Sequence, residues 1–444
     1  MGRHFDIVLH VKLGFNCRSQ AVPGISEDLE TPHLLAVSGI SFFTIAVAIF
    51  PLALAPLGES FGRQKVYLVS YGVFFLFFLP NALARNIQTV LVARFICGAA
   101  GSVGSTMVGG TLADLWEKDE RDVPLAFFAL SALLGTPIGT IAFTWAGGNV
   151  SWRWIFWTLL ALAAPSAAVI LLFFRKETLP AEARRQLAEA ACKVDSASRS
   201  SSTTQVPLQS RSAFKTLREA VIRSALRPLY FLLTEPITLT LSVWIAFAWG
   251  VLYLFLESLP LVFAPYGFTS DNMTRGLSFA GIAVGALLGL VLHVAILKAR
   301  GVASTPEQRL PSACFGALLF SFGFFVLAWT ARPDQIPWIV PQIGTAMTMT
   351  GLFLVYTCIF SYFSDCYGAY SSSAIAAQSF LRNILATAFP LIAERMYQQL
   401  TYPWASSLLG SVALVLALVP FLLMWKGQAL RKRSPFAQSE IGKS

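Results

Sequence analysis

Three groups of polar side chains, each set within an apolar stretch, are where this chain could do chemistry. In the first, Arg94 opens a helical face that continues through Gly98, Gly101, Ser102 and Ser105. Burying a guanidinium in lipid costs about 2.5–3.5 kcal/mol, so such an Arg either ties helices together through a backbone carbonyl or faces an internal path. In the second, Trp249, Tyr253 and Glu257 recur every four residues, which puts two aromatic rings and a carboxylate on one face. Ring quadrupoles beside a negative charge suit an organic cation. Glu257 stands near the outer end of its stretch, where an interfacial carboxylate is the competing reading. In the third, Gln378 and Arg382 lie one turn apart in another stretch. Burial raises a carboxylate's pKa and a neighbouring Arg lowers it. An acid close to Arg94 or Arg382 is thus placed to change protonation as its surroundings change, and Glu257 is the candidate.

Enzyme chemistry finds no footing. The four histidines, His4, His10, His33 and His293, are scattered and have no metal-ligand spacing. No Cys-x-x-Cys and no Gly-rich phosphate loop ending in Lys-Ser/Thr occurs, so neither a metal, a cofactor nor ATP is implied. The cysteines are equally plain: only Cys17 falls in a segment assigned to the outside, so no external disulfide can close within the chain.

The elements that must hold these groups are membrane helices. Of 444 residues 55% are hydrophobic and 13% charged, where a water-soluble domain carries about a quarter charged. Stretches of 18 or more apolar residues read as spans. They fall at 34–57, 66–84, 89–110, 123–146, 153–174, 236–261, 276–297, 311–331, 337–360, 373–396 and 404–425. With Arg63 and Lys65 placed inside, the outer loops hold only Arg85, Arg153, Arg275, Arg332 and Arg395, whereas the segment from Arg175 to Arg227 alone carries eleven Lys or Arg. The net charge of +10 is therefore a topology signal rather than a nucleic-acid surface. The sequons at Asn149 and Asn272 both fall in outer loops, where glycosylation is chemically allowed.

Five spans precede and six follow a polar segment, and the chain divides accordingly. Residues 1–33 form an N-terminal segment, 34–175 a first helical bundle, 176–229 a cytoplasmic linker, 230–426 a second bundle and 427–444 a cytoplasmic tail. The run Ser196–Thr204 has nothing to bury and is expected to be disordered. Small residues at four-residue spacing, Gly101/Ser105/Gly109 and Gly281/Gly285/Gly289, allow close helix approach or line a cavity. Two bundles around a midplane site is the layout of secondary transporters built from repeats.

A series of motifs carries a family resemblance. Ala55-Pro56-Leu57-Gly58-Glu59-Ser60-Phe61-Gly62-Arg63-Gln64-Lys65 resembles the loop between the second and third spans of the major facilitator superfamily, with Glu59 for the usual Asp and Ala55 for the usual Gly. Leu91-Val92-Ala93-Arg94-Phe95-Ile96-Cys97-Gly98 is similar to its fourth-span motif. Gly109–Asp114, Glu120-Arg121, Trp152–Trp157, Thr234–Ile237, Gly250–Pro260, Asp365–Gly368, Ser373–Ala377, Arg382 and Phe389-Pro390-Leu391 follow in the expected order. Together they resemble the fungal twelve-span drug:proton antiporters over roughly residues 17–436. The fifth span departs from that pattern: Gly135-Thr136-Pro137-Ile138-Gly139-Thr140 lacks the paired Gly-Pro steps associated with export.

The resemblance implies an all-α integral membrane protein of the major facilitator fold, two pseudo-symmetric bundles with about eleven recognisable spans. It implies proton-coupled export of small organic compounds by alternating access, with protons, substrate and lipid as partners and a monomer in the plasma membrane, the vacuolar membrane being the alternative. Arg94, Gly98, Ser102, Trp249, Tyr253, Glu257, Gln378 and Arg382 are the pathway candidates; Glu59, Gly62, Arg63, Asp114, Arg121 and Asp365 belong to the conformational-switch loops. The family's first span has no apolar counterpart in residues 1–33, which reads as truncation or a misassigned start. Import by the same fold, or a transport-inactive membrane protein, are the alternatives that follow.

Overall fold

Long apolar stretches bounded by polar turns must close all their backbone hydrogen bonds within themselves in lipid, and the helix does so. The computed structural model describes residues 24–61, 63–116, 121–149, 151–173, 226–268, 272–300, 305–367, 371–434 and 436–437. Its regular elements are helical throughout: α1 His33–Phe61, α2 Arg63–Leu76, α3 Phe78–Ala82, α4 Ile87–Leu115, α5 Asp122–Asn149, α6 Trp152–Phe173, α7 Pro236–Phe263, α8 Asn272–Leu277, α9 Ala280–Arg300, α10 Leu310–Thr330, α11 Ile339–Tyr367, α12 Ser371–Leu400 and α13 Tyr402–Arg433. Among the described residues ten helical segments are long and apolar enough to cross a membrane.

Each expected span coincides with a helix, with three differences in detail. The stretch 66–84 is interrupted at Phe77, whose φ of −79° and ψ of 0° separate α2 from α3. The stretch 276–297 begins as the short α8, and the spanning helix starts only at Ala280. The last helix runs on to Arg433, carrying Arg431 and Lys432 in its final turn, where cations suit the helix dipole. The linker 176–229 is described only from residue 226, so its expected disorder lies outside the described residues.

Burial sorts the helices by their neighbours. In α7 and α11 nearly every side chain is buried, which places them at the centre of the second half. By contrast α2, α9 and α13 present Val69, Leu288, Val291, Val415 and Leu418 outward, an apolar surface that suits lipid. The helices of the second half are knit by small residues. Gly316 and Gly323 of α10 face Gly351 and Gly344 of α11 so closely that a Cβ at Gly351 would lie 2.4 Å from the Gly316 carbonyl oxygen. Gly281, Gly285 and Gly289, read from sequence as packing or cavity lining, all pack on α11, against Gln342, Ala346 and Phe353 respectively.

The two halves, α1–α6 and α7–α13, meet along two seams, α1 against α12 and α5 against α8 and α9. At the outer end of the first half Asp28 accepts from Arg153 Nη1 at 2.5 Å and from Trp152 Nε1 at 3.1 Å. These donors hold the Asp28 carboxyl below the usual carboxylate range, Arg153 foremost.

Candidate functional site

Mid-depth in the second half, three central helices converge on one buried guanidinium. Arg382 lies eleven residues into α12, about 16 Å along its axis, and is 2% exposed. Its Nη1 donates to the Tyr356 hydroxyl of α11 at 3.1 Å and its Nη2 to Ser379 Oγ at 3.1 Å. The guanidinium carbon sits 4.7 Å from the ring centroid of Trp249 on α7 and 5.8 Å from that of Tyr356. The two rings are themselves stacked, 4.9 Å apart at 27°. Stacking on ring faces and charge-assisted hydrogen bonds offset the cost of burying an Arg in lipid. Tyr253, one turn along α7, is buried within electrostatic reach of Arg382 and Tyr356.

Three of the candidates, from two separate sequence groups, thus come together: Trp249 and Tyr253 with Arg382. Gln378 is fully buried one turn before Arg382, and neither end of its amide meets a hydrogen-bond partner among the described residues. The arrangement corrects two expectations. The Trp249 face that suited an organic cation is occupied by the protein's own guanidinium. Nor does an acid pair with Arg382: among the described residues its contacts are hydroxyls and rings, not a carboxylate. Glu257 lies two turns further out on α7, half-buried with Oε1 turned inward.

The first-half candidates are elsewhere. Arg94 is buried over Phe156 of α6, 4.5 Å from the ring centroid. Ser102 is buried and donates to the Ala99 carbonyl within its own helix. Gly98 is a contact point rather than a lining residue, since a Cβ there would lie 2.3 Å from the Phe43 carbonyl oxygen of α1.

Polar contacts between the halves lie on both sides of the Arg382 cluster. On one side Arg309, in the single helical turn Pro306–Arg309, reaches Asp122 of α5 at 2.5 Å and Asp365 of α11 at 2.6 Å. Ser361 donates to Asp122 at 2.9 Å, and Arg121 donates to Ser364 Oγ at 2.6 Å. On the opposite side Ser41 donates to the Thr387 carbonyl and the Thr387 hydroxyl to Thr44 Oγ1 at 2.8 Å. Arg121 and Asp365 therefore belong to one network across the halves. The side chains of Glu59, Arg63, Asp114, Asn149 and Asn272, and the whole of Gly62, lie outside the described residues.

Sequence reasoning missed Tyr356, Ser379, Asp122 and Arg309. Tyr356 carried a faint signal, a polar-tipped ring in the middle of the apolar stretch 337–360. Asp122 and Arg309 carried none, being 187 residues apart.

Residues 13–390 match the family described as Major Facilitator Superfamily. The chain is 35% identical over 401 residues to the efflux pump atB of Aspergillus terreus, covering 87% of this chain and 82% of that one. It is 32% identical over 424 residues to the efflux pump FUB11 of Gibberella moniliformis, covering 93% and 69%. Among solved structures it superposes on the xylose transporter XylE from E. coli with a TM-score of 0.65 at 15% identity, over 96% of this chain and 98% of that one.

Proposed function

The chain belongs to the major facilitator superfamily and is a multi-pass secondary transporter rather than an enzyme, and from that premise we propose that it exports small organic compounds in exchange for protons. The observation that carries this reading is the mid-membrane cluster of Arg382, Trp249, Tyr253 and Tyr356, flanked inside and outside by contacts between the halves. A site between two alternately opening gates is what alternating access requires. The side-chain hydrogen bonds and the ion pair that join the halves at each end are polar, and on this reading either set parts while the other holds.

Export is favoured over import because the fungal relatives are named efflux pumps. The plasma membrane is the proposed location, where removal of a compound from the cytoplasm is completed in one step. A single copy holds the whole cluster, so a monomer suffices. Proton coupling is assigned to Glu257, the half-buried carboxylate on the same helix as Trp249 and Tyr253. Its uptake of a proton from outside would alter the charge along α7 as substrate leaves.

Inside-out vesicles made with the intact chain test the reading. With an acid vesicle interior they should accumulate members of a panel of fluorescent aromatic compounds of negative, zero and positive charge, and collapse of the pH gradient should abolish the uptake. Accumulation only in right-side-out vesicles would instead establish import. Glu257→Gln is expected to reduce gradient-driven uptake at least tenfold; full retention would refute its coupling role.

A further inference from the structure

Among the described residues the buried Arg382 guanidinium makes its contacts with hydroxyls and rings and with no carboxylate. Arg382 keeps one donor, Nε, and Gln378 keeps its whole amide without a hydrogen-bond partner among the described residues, although both side chains are at least 98% buried. A buried polar atom left unpaired is costly, so each such atom in a native structure calls for an occupant or a function. Here two residues one turn apart on α12 each leave a buried N–H donor without a partner among the described residues.

We propose that Arg382 and Gln378 form a carboxylate-binding site, and that the substrate is a small aromatic organic acid carried as its anion. A carboxylate offers about four lone-pair positions, enough to accept from the guanidinium Nε–H and the Gln378 NH2 group together. The planar fork of Arg matches that group better than a Lys would. The acid's ring packs beside the Trp249–Tyr356 stack, whose buried aromatic surface forms the apolar wall. An organic cation fits poorly: it would be placed beside a buried guanidinium, and the Trp249 face that would receive it is taken by Arg382. The direction of transport agrees with the charge. A neutral aromatic acid crosses lipid unaided, ionises in a near-neutral cytoplasm and stays there as an anion, so only the anion needs a carrier. An inside-negative potential drives it outward.

The inference rests on the export reading for direction and on the Arg382 cluster for chemistry, and one probe series separates them. Binding of 2-naphthoate, its neutral isostere 2-naphthylmethanol and its cationic isostere 2-naphthylmethylammonium is measured calorimetrically on the full chain in detergent. Naphthoate should bind at least tenfold more tightly than the alcohol and the ammonium not at all. Arg382→Gln should weaken naphthoate at least tenfold while leaving the alcohol within twofold, which also shows that the variant is folded; Arg382→Lys should fall between. The proposal is overturned if the ammonium binds as well as naphthoate, if Arg382→Gln weakens naphthoate and the alcohol alike, or if the wild-type chain binds none of the three. Should naphthoate bind in the Arg382-dependent way yet never enter inside-out vesicles, the export reading falls and the site stands. Should the alcohol or ammonium be pumped and naphthoate not, export stands and the site assignment falls.

Discussion

Arg382 is held by a hydroxyl on each side and a ring face above, and removing one of these supports isolates its contribution. The Tyr356 hydroxyl accepts from Nη1 at 3.1 Å, and hydrogen bonds to charged groups contribute about 1.5–3 kcal/mol. Tyr356→Phe keeps the ring stacked on Trp249 and removes only that acceptor. It is expected to lower stability by about 1.5–3 kcal/mol, read as a drop in the unfolding midpoint in detergent. An unchanged midpoint would mean that the hydroxyl is dispensable and that the ring stack alone holds the guanidinium.

At the scale of elements, α10 and α11 form the tightest helix pair in the second half. Gly316 and Gly323 are seven residues apart, as are Gly344 and Gly351, so two turns of each helix present bare backbone to the other. An added methyl at Gly351 would lie 2.4 Å from both the Gly316 carbonyl oxygen and the Phe320 nitrogen, and neither backbone atom can yield without moving its helix. Gly351→Ala is expected to destabilise by about 1–3 kcal/mol. Gly72 of α2, with nothing within 4 Å of an added Cβ, is the control, and its replacement by Ala should be neutral or stabilising by about 0.5–1 kcal/mol. Thermal unfolding of the two variants side by side checks the contrast; equal midpoints would contradict the packing. Pro137 sits inside α5 without ending it. Its missing N–H breaks one rung of the ladder, but the helix continues to Asn149, so the shifted prolines of the fifth span leave its length intact.

For the whole molecule, the question is what joins the halves at the Arg309 end. Arg309 reaches across the halves to Asp122 while it also holds Asp365 of its own half, with all three side chains less than a fifth exposed. Without it, two mostly buried carboxylates face each other, and breaking such a pair costs about 3–5 kcal/mol. Arg309→Gln should therefore shift the protein toward the inward-open form. Cys358 is a built-in reporter, 3% exposed with its Sγ 3.2 Å from the Arg309 carbonyl oxygen. As the sole remaining cysteine it is expected to react several-fold faster with a membrane-impermeant maleimide in inside-out vesicles bearing Arg309→Gln. Equal rates in both backgrounds would remove the gate from Arg309.

Hydropathy was enough to locate the membrane helices among the described residues, because lipid imposes one rule on every residue of a span: apolar side chains outside and hydrogen bonds closed within the helix. Motif spacing reached further, picking out Arg94, Trp249 and Arg382 as costly or aromatic side chains in apolar surroundings. It could not pair them. Periodicity reports which residues share a face of one helix, and says nothing of which helix that face meets. Packing alone put Arg382 on Trp249, gave Gly98 to the α1 backbone, and joined Asp122 to an Arg 187 residues away. The sign of the site changed with it: a helical face that reads as cation-binding on its own becomes, once α12 lays a guanidinium across it, a place for an anion.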